Sequence, residues 1–281
     1  MKPDDILLTD RVVLVTGGAS GIGQGIALGM AACGADVVLA DIDEMGASQT
    51  AERIRAAGRE AIAIRTDVMD AAQIRAAIDG AVAHFGRLDI LVNNAGGARP
   101  QKFIELSERS IRRQVDINLT NLFVTTGAAA KAMIACGRGG AIVNIASIEG
   151  QRGAPGFSVY AACKAAMINF SRTLSLELAE HNIRVNVIAP DVVITPGVRR
   201  LNPDVLSAAQ LAARRRYIPL GRDGNLDDCV GAAVFLCSAM GSYITGAVLN
   251  VDGGTFASSG WTREEGGGWS PVPGLTRLLR E

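Results

Sequence analysis

Tyr160 and Lys164 stand four apart in the run SVYAACK, and Ser147 stands thirteen residues before the tyrosine, closing the apolar run AIVNIAS. Residues four apart on a helix lie on one face, so the phenol and the ammonium would be stacked neighbours. A phenol has a reference pKa near 10, and an adjacent ammonium favours phenolate, which moves a general base towards working pH. Ser147 could then hold the substrate oxygen that gains or loses the proton. The bland alternative is a chance pair on a helix surface, which arises about once in twenty-three chains of this composition. The pair acquires meaning only beside a cofactor site.

Such a site is visible near the N-terminus. The strand-like run from Val12 ends in TGGASGIG, Thr16 to Gly23, and a helical pattern begins at Gly21. Gly17, Gly21 and Gly23 permit a tight turn and close approach of backbone to a pyrophosphate at the helix N-terminus, with Ser20 and Ile22 in the same turn. A second apolar strand ends in Asp41, twenty residues after Gly21, where a carboxylate accepts hydrogen bonds from ribose hydroxyls and repels a 2′-phosphate. No basic residue offsets that charge locally, since Ile42 follows it and Ser20 occupies the turn. NAD is therefore the expected cofactor, in preference to NADP.

The elements that must position these residues alternate regularly. Strands are predicted at Val12 to Val15, Val37 to Ala40, Ala61 to Arg65, Ile90 to Val92, Ala141 to Ile145, Arg184 to Ile188 and Val248 to Val251. Helical patterns begin near Gly21, Glu44, Ala71, Glu108, Val159 and Leu226. Apolar strands each followed by a helix predict an α/β fold, a doubly wound parallel sheet of seven strands covered on both faces. One domain, residues 1–254, is the economical reading. It carries a lid at 191–217, and an extension follows at 255–281.

Composition narrows the function. The 281 residues are 48% hydrophobic with zero formal charge, so nothing suggests a nucleic-acid or anionic-membrane partner. Five cysteines without a Cys-x-x-Cys pair argue against a disulfide framework and fit a reducing cytoplasm. There is no signal-like N-terminus and no run of eighteen apolar residues. His84 and His181 lack ligand-spaced partners, so no catalytic metal is expected. The lid arginines Arg199, Arg200, Arg214, Arg215 and Arg216 read as a solvated helix face before they read as an anion clamp.

Taken together, these ordered motifs resemble the short-chain dehydrogenase/reductase superfamily from about Leu8 to Gly254. TGGASGIG is similar to its Thr-Gly-x-x-x-Gly-x-Gly turn. Asp67-Val68 matches the pair that holds adenine, and Asn94-Ala95-Gly96 the motif that supports the sheet and borders the cofactor. Asn118 matches a helix asparagine of a proton relay, and Ser147, Tyr160 and Lys164 match the catalytic serine and Tyr-x-x-x-Lys. After the sixth strand the family usually has Pro-Gly. Here Pro190-Asp191 stands instead, followed by Val193 and Thr195 where the nicotinamide carboxamide is approached. Aspartate brings a Cβ and a charge, so a displaced loop is expected there.

The resemblance implies hydride transfer between a secondary alcohol and its ketone, in a homo-oligomer, tetramer or dimer, acting on a small molecule. Tyr160 would take the proton, Lys164 lower its pKa and bind ribose, Ser147 hold the substrate oxygen, and Asn118 connect Lys164 to solvent. The alternatives are a 3-oxoacyl-carrier-protein reductase, which usually wants NADPH, and a non-catalytic dinucleotide sensor, against which the intact Asn-Ser-Tyr-Lys set argues. Pocket walls are expected from 97–103, 148–157 and the lid. Glu149, Gln151 and Arg152 hint at a polyol, sugar or other polar alcohol. Trp261, Trp269, Leu275, Leu278 and Leu279 predict a docked tail reaching a neighbouring subunit.

Overall fold

The computed structural model describes residues 2–197, 207–264 and 267–271. Seven parallel strands form its sheet: β1 (Val12–Thr16), β2 (Asp36–Asp41), β3 (Ala61–Arg65), β4 (Ile90–Asn93), β5 (Gly140–Ile145), β6 (Ile183–Pro190) and β7 (Val248–Val251). Their spatial order is β3-β2-β1-β4-β5-β6-β7, so the chain reverses direction across the sheet between β1 and β4. The predicted strand boundaries lie within two residues of those observed.

The strands read as continuous apolar runs because both faces are covered. Val13, Val15, Val37 and Leu39 pack with Ile26 and Met30 of α1 (Gly21–Ala32), Ala47 and Ile54 of α2 (Glu44–Ala56), and Leu236 of α8 (Leu226–Cys237). Alternate residues Val12, Leu14, Val38 and Ile142 turn the other way, towards Ala77 of α3 (Ala71–Phe85) and Met133 of α5 (Asn121–Cys136). Period-two alternation along each strand thus builds two cores from one sheet. The helices start where local chemistry satisfies their free N–H groups. Asp43 accepts from Gly46 N–H, and Asp70 from Ala72 and Gln73 N–H.

Helix α4 (Glu108–Val115) continues through a π-helical turn, Asp116–Thr120, into α5. By length and composition the run Glu108–Cys136 could cross a membrane, but Leu122, Ala129 and Met133 are buried against the protein's own core. At the opposite end of the sheet Asp89, which is 2% exposed, accepts from Val12 N–H at 2.9 Å and from Arg87 at 2.5 Å. That carboxylate ties β4 to the start of β1.

The segment expected to be a lid contains α7 (Ala208–Tyr217), whose first turn is closed by reciprocal Ser207 and Gln210 bonds. Beyond β7 come a short helix, α9 (Thr255–Ser258), and a hairpin, β8 (Thr262–Arg263) with antiparallel β9 (Trp269–Ser270). The Arg263 guanidinium lies 5.1 Å from the Trp269 ring. Strand β8 contacts α7, so the described tail docks on that helix of its own chain. The expected leucines Leu275, Leu278 and Leu279, and the lid residues Arg199 and Arg200, lie outside the described residues.

Candidate active site

Where strand order reverses, the loops after β1 and β4 leave in opposite directions and open a crevice at the carboxyl ends of the strands. It holds a cavity of about 570 Å³. Its walls include Gly17, Ser20, Gly21, Ile22, Asp41, Asp67, Val68, Asn94, Ala95, Gly96, Ser147, Tyr160, Lys164, Pro190 and Thr195. Elements separated by more than a hundred residues in sequence therefore meet where the motifs placed them.

The glycine-rich turn is shaped by contact. A Cβ on Gly23 would stand 2.2 Å from the Gly17 carbonyl oxygen and 2.4 Å from Asn94 Nδ2, so only glycine fits beneath the turn. Gly23 supports the turn from behind and takes no place in the cavity wall. The Asn94 amide donates to the Thr16 and Gly17 carbonyls at 3.0 and 3.1 Å, while Thr16 Oγ1 accepts from the Asn94 and Ala95 N–H groups. Asp41 locks the turn's other side, Oδ2 accepting from Ala19 N–H and Oδ1 from Asp43 N–H, both at 2.9 Å. Asp67 accepts from Met69 N–H, shaping the loop after β3.

Asn118 sits in the π turn, and its side chain is buried behind the cavity. Oδ1 accepts from Gly97 N–H at 2.9 Å, and Nδ2 donates to the Gly97 and Gln114 carbonyls at 3.0 and 2.9 Å. Both amide protons are thus spent on protein, making the side chain a clamp on the loop after β4. A Cβ on Gly96 would come within 2.8 Å of Asn118 Oδ1, which accounts for a small residue there. The wider helical turn is what offers Asn118 to this loop.

Ser147 ends β5's extension, and Tyr160 and Lys164 face it from α6 (Ser158–Glu177). Ser147 Oγ hydrogen-bonds the Tyr160 hydroxyl and donates to the Pro190 carbonyl at 3.5 Å. Lys164 Nζ donates to the Ile145 carbonyl at 2.7 Å and lies 5.5 Å from the centroid of the Tyr160 ring. The expected electrostatics need correction. Burial pushes the Tyr160 phenol above its ordinary value, with the Ser147 hydrogen bond opposing and Glu149 assisting. Burial likewise pulls Lys164 down to about 8. In the free enzyme burial therefore sets the direction of both shifts, the phenol upward and the ammonium downward.

Asp191 does not lie idle in a displaced loop. Its carboxylate accepts from Thr255 Oγ1 at 2.7 Å, stands 3.7 Å from Arg152, and borders both the main cavity and a second one of about 480 Å³. Burial raises its pKa, against Thr255 and Arg152. Arg152 also donates to both Glu149 oxygens and to the Tyr217 hydroxyl at the end of α7. The Val193 side chain is buried and its backbone bridges to Gly224, whereas Thr195 lies over Gly21 and lines the cavity. Among the lid arginines Arg214 is paired with Asp223 at 2.5 Å, as a solvated face allows. Arg113, which lines the cavity, and Thr255 carry no motif and were not singled out in the sequence.

A family profile described as "Enoyl-(Acyl carrier protein) reductase" matches residues 17–255. The chain belongs to the short-chain dehydrogenase/reductase superfamily. Among members of that superfamily, it is 39% identical over 250 residues to 2-dehydro-3-deoxy-D-gluconate 5-dehydrogenase of Escherichia coli (strain K12), covering 89% of this chain and 97% of that one. It is 39% identical over 268 residues to galactitol 2-dehydrogenase of Agrobacterium fabrum (strain C58), covering 89% and 99%. A solved 7α-hydroxysteroid dehydrogenase with NADH superposes with TM-score 0.84 at 33% identity, over 90% of this chain and 97% of that one. A solved structure described as a "putative 2-deoxy-d-gluconate 3-dehydrogenase" from Agrobacterium tumefaciens, with bound NADP, superposes with TM-score 0.81 at 40% identity, over 90% and 99%.

As a short-chain dehydrogenase/reductase, the protein is an oxidoreductase acting on alcohols. The glycine turn, the Asn94–Gly96 loop and Lys164 fit a nicotinamide dinucleotide, since the cradle exists only because Gly23 lacks a Cβ. That cofactor supplies hydride acceptance or donation. In such chemistry Ser147 would hold the substrate oxygen, Tyr160 would exchange its proton, and the buried Lys164 would present a cation beneath both.

Proposed function

We propose that the protein is an NAD-dependent dehydrogenase of a secondary alcohol on a polyhydroxylated or cyclic carbon frame, with Tyr160 as general acid/base. The observation that carries this is the Ser147–Tyr160–Lys164 constellation on a cavity that Asp191 also lines, with Arg152 3.7 Å from that carboxylate and bonded in turn to Glu149. Groups of that polarity suit a substrate with several hydroxyls better than an acyl chain. The names of the sugar-acid and galactitol relatives support the same class, and the acyl-carrier-protein description of the family profile keeps acyl reduction as the alternative.

The choice of NAD rests on Asp41. Two backbone N–H groups fix its carboxylate, leaving acceptor capacity for a ribose diol, and the exposed Ile42 beside it brings no cation to a 2′-phosphate. A homo-oligomer is supported by the exposed Phe123, stacked edge-on against Phe170 at 4.8 Å, and a reducing cytoplasm by the free cysteines. Steady-state kinetics over polyols, cyclic alcohols and a 3-oxoacyl thioester, each with NAD and NADP, test the reading. We expect kcat/KM with NAD to exceed that with NADP at least tenfold. Parity or NADP preference would refute the cofactor assignment, and preference for the thioester would refute the substrate class.

A further inference from the structure

We propose that Asp191 is the specificity-determining residue of this site, accepting a hydrogen bond from a substrate hydroxyl beside the reacting carbinol and selecting a neutral polyol over a sugar acid. This rests on the polyhydroxylated-substrate reading above.

Position comes first. Asp191 follows Pro190, whose carbonyl accepts from Ser147 Oγ, so it stands one residue from the carbonyl that the substrate-holding serine bonds. Its backbone is anchored by Asp191 N–H to the Val251 carbonyl at 3.3 Å, and its side chain by Thr255. The side chain is only 9% exposed, yet it belongs to the cavity wall. A carboxylate fixed by one hydroxyl donor and a more distant guanidinium keeps lone pairs for another donor.

Charge decides which donor-bearing molecule fits. Glu149 and Asp252 act on Asp191 as neighbouring negative charges, and Arg152 is the positive one. Three carboxylates against one guanidinium leave a surplus of two negative charges among these four groups. Arg152 is moreover committed to Glu149 and Tyr217, and Arg222, in the second cavity's wall, is held bidentate by Asp228 at 2.7 and 2.8 Å. No cation among these is free to receive a substrate carboxylate. A hydroxyl meets an acceptor here, while an anion meets repulsion in a partly dehydrated site.

The test compares galactitol, D-gluconate and cyclohexanol as substrates for the wild type, Asp191→Asn and Asp191→Gly. Thr255 Oγ1 retains the Asp252 carbonyl at 3.0 Å as a second acceptor, so both variants should fold. We expect wild-type kcat/KM to favour galactitol over gluconate at least tenfold. Both variants should lower that ratio about tenfold, the loss in kcat/KM falling on galactitol more than on cyclohexanol. A wild-type preference for gluconate, or a ratio the variants do not move, overturns the role of Asp191 while leaving a polyhydroxylated substrate standing. Cyclohexanol outpacing both polyhydroxylated compounds overturns the substrate class and this inference together.

Discussion

At the scale of single residues, Tyr160 and Lys164 each pay for being buried, and the two costs make separate predictions. Replacing Tyr160 with phenylalanine keeps the edge-on packing against Phe157 but removes the transferable proton. We expect kcat to fall at least about a hundredfold with NADH affinity within threefold, read by turnover and by nucleotide fluorescence titration. Because burial holds the phenol above its ordinary pKa, alcohol oxidation, which needs phenolate, should rise with pH through the alkaline range. Ketone reduction, which needs the phenol, should decline over that same range, and pH profiles measured in both directions check the sign. Lys164 predicts a change in stability. Its pKa drops from 10.5 in the free side chain to about 8 when folded, so the cost of burying the ammonium is felt in full below about 8 and relieved as pH rises towards 10.5. Lys164→Met should therefore stabilise the cofactor-free protein by about 2 kcal/mol at pH 7, an advantage that shrinks by pH 9.5 in urea melts, while turnover is lost.

Between the residue and the whole lie the elements, and here the sequence was only partly legible. Strand and helix periods were readable because each apolar run is local, and Asp41, Ser147 and Tyr160 were readable because their spacing is fixed by the elements that carry them. The π turn that presents Asn118 was not, since inserting one residue into a helical turn leaves the apolar pattern almost unchanged. Nor were the Asp191–Thr255 and Arg152–Tyr217 bonds, which span sixty or more residues and answer to no local period. The tail's described residues meet α7 of their own chain, while Trp261 and Trp269 stay about two-fifths exposed, and a reach to a neighbouring subunit is a matter that a single chain does not bear on. Strand β8 lies on α7, so deleting residues 257–281 should release the lid. A several-fold rise in KM for the alcohol with KM for NAD unchanged is the expected result, together with a melting temperature lowered by a few degrees. Wild-type values in both measurements would make the hairpin a passive appendage.

For the whole molecule, the pairing of β1 with β4 both opens the crevice and holds the halves of the sheet together. Asp89 fastens that pairing at the end away from the site, so Asp89→Ala should cost about 3 kcal/mol by leaving Arg87 and Val12 N–H without their buried partner. Denaturant melts should show the loss, with KM for the nicotinamide dinucleotide unchanged in the folded fraction. The same topology has a consequence during synthesis. Val12 and its Asp89 partner are 77 residues apart, and a ribosome adding 5–20 residues per second needs about 4–15 s to deliver the second after the first. For that interval β1, buried at every position in the finished protein, can pair with β2 along one edge only. Its other edge stays open, apolar and extended, a template for joining the edge of another nascent chain. Slower translation lengthens this exposure, so the soluble yield of the protein is set in part by how quickly its first ninety residues leave the ribosome.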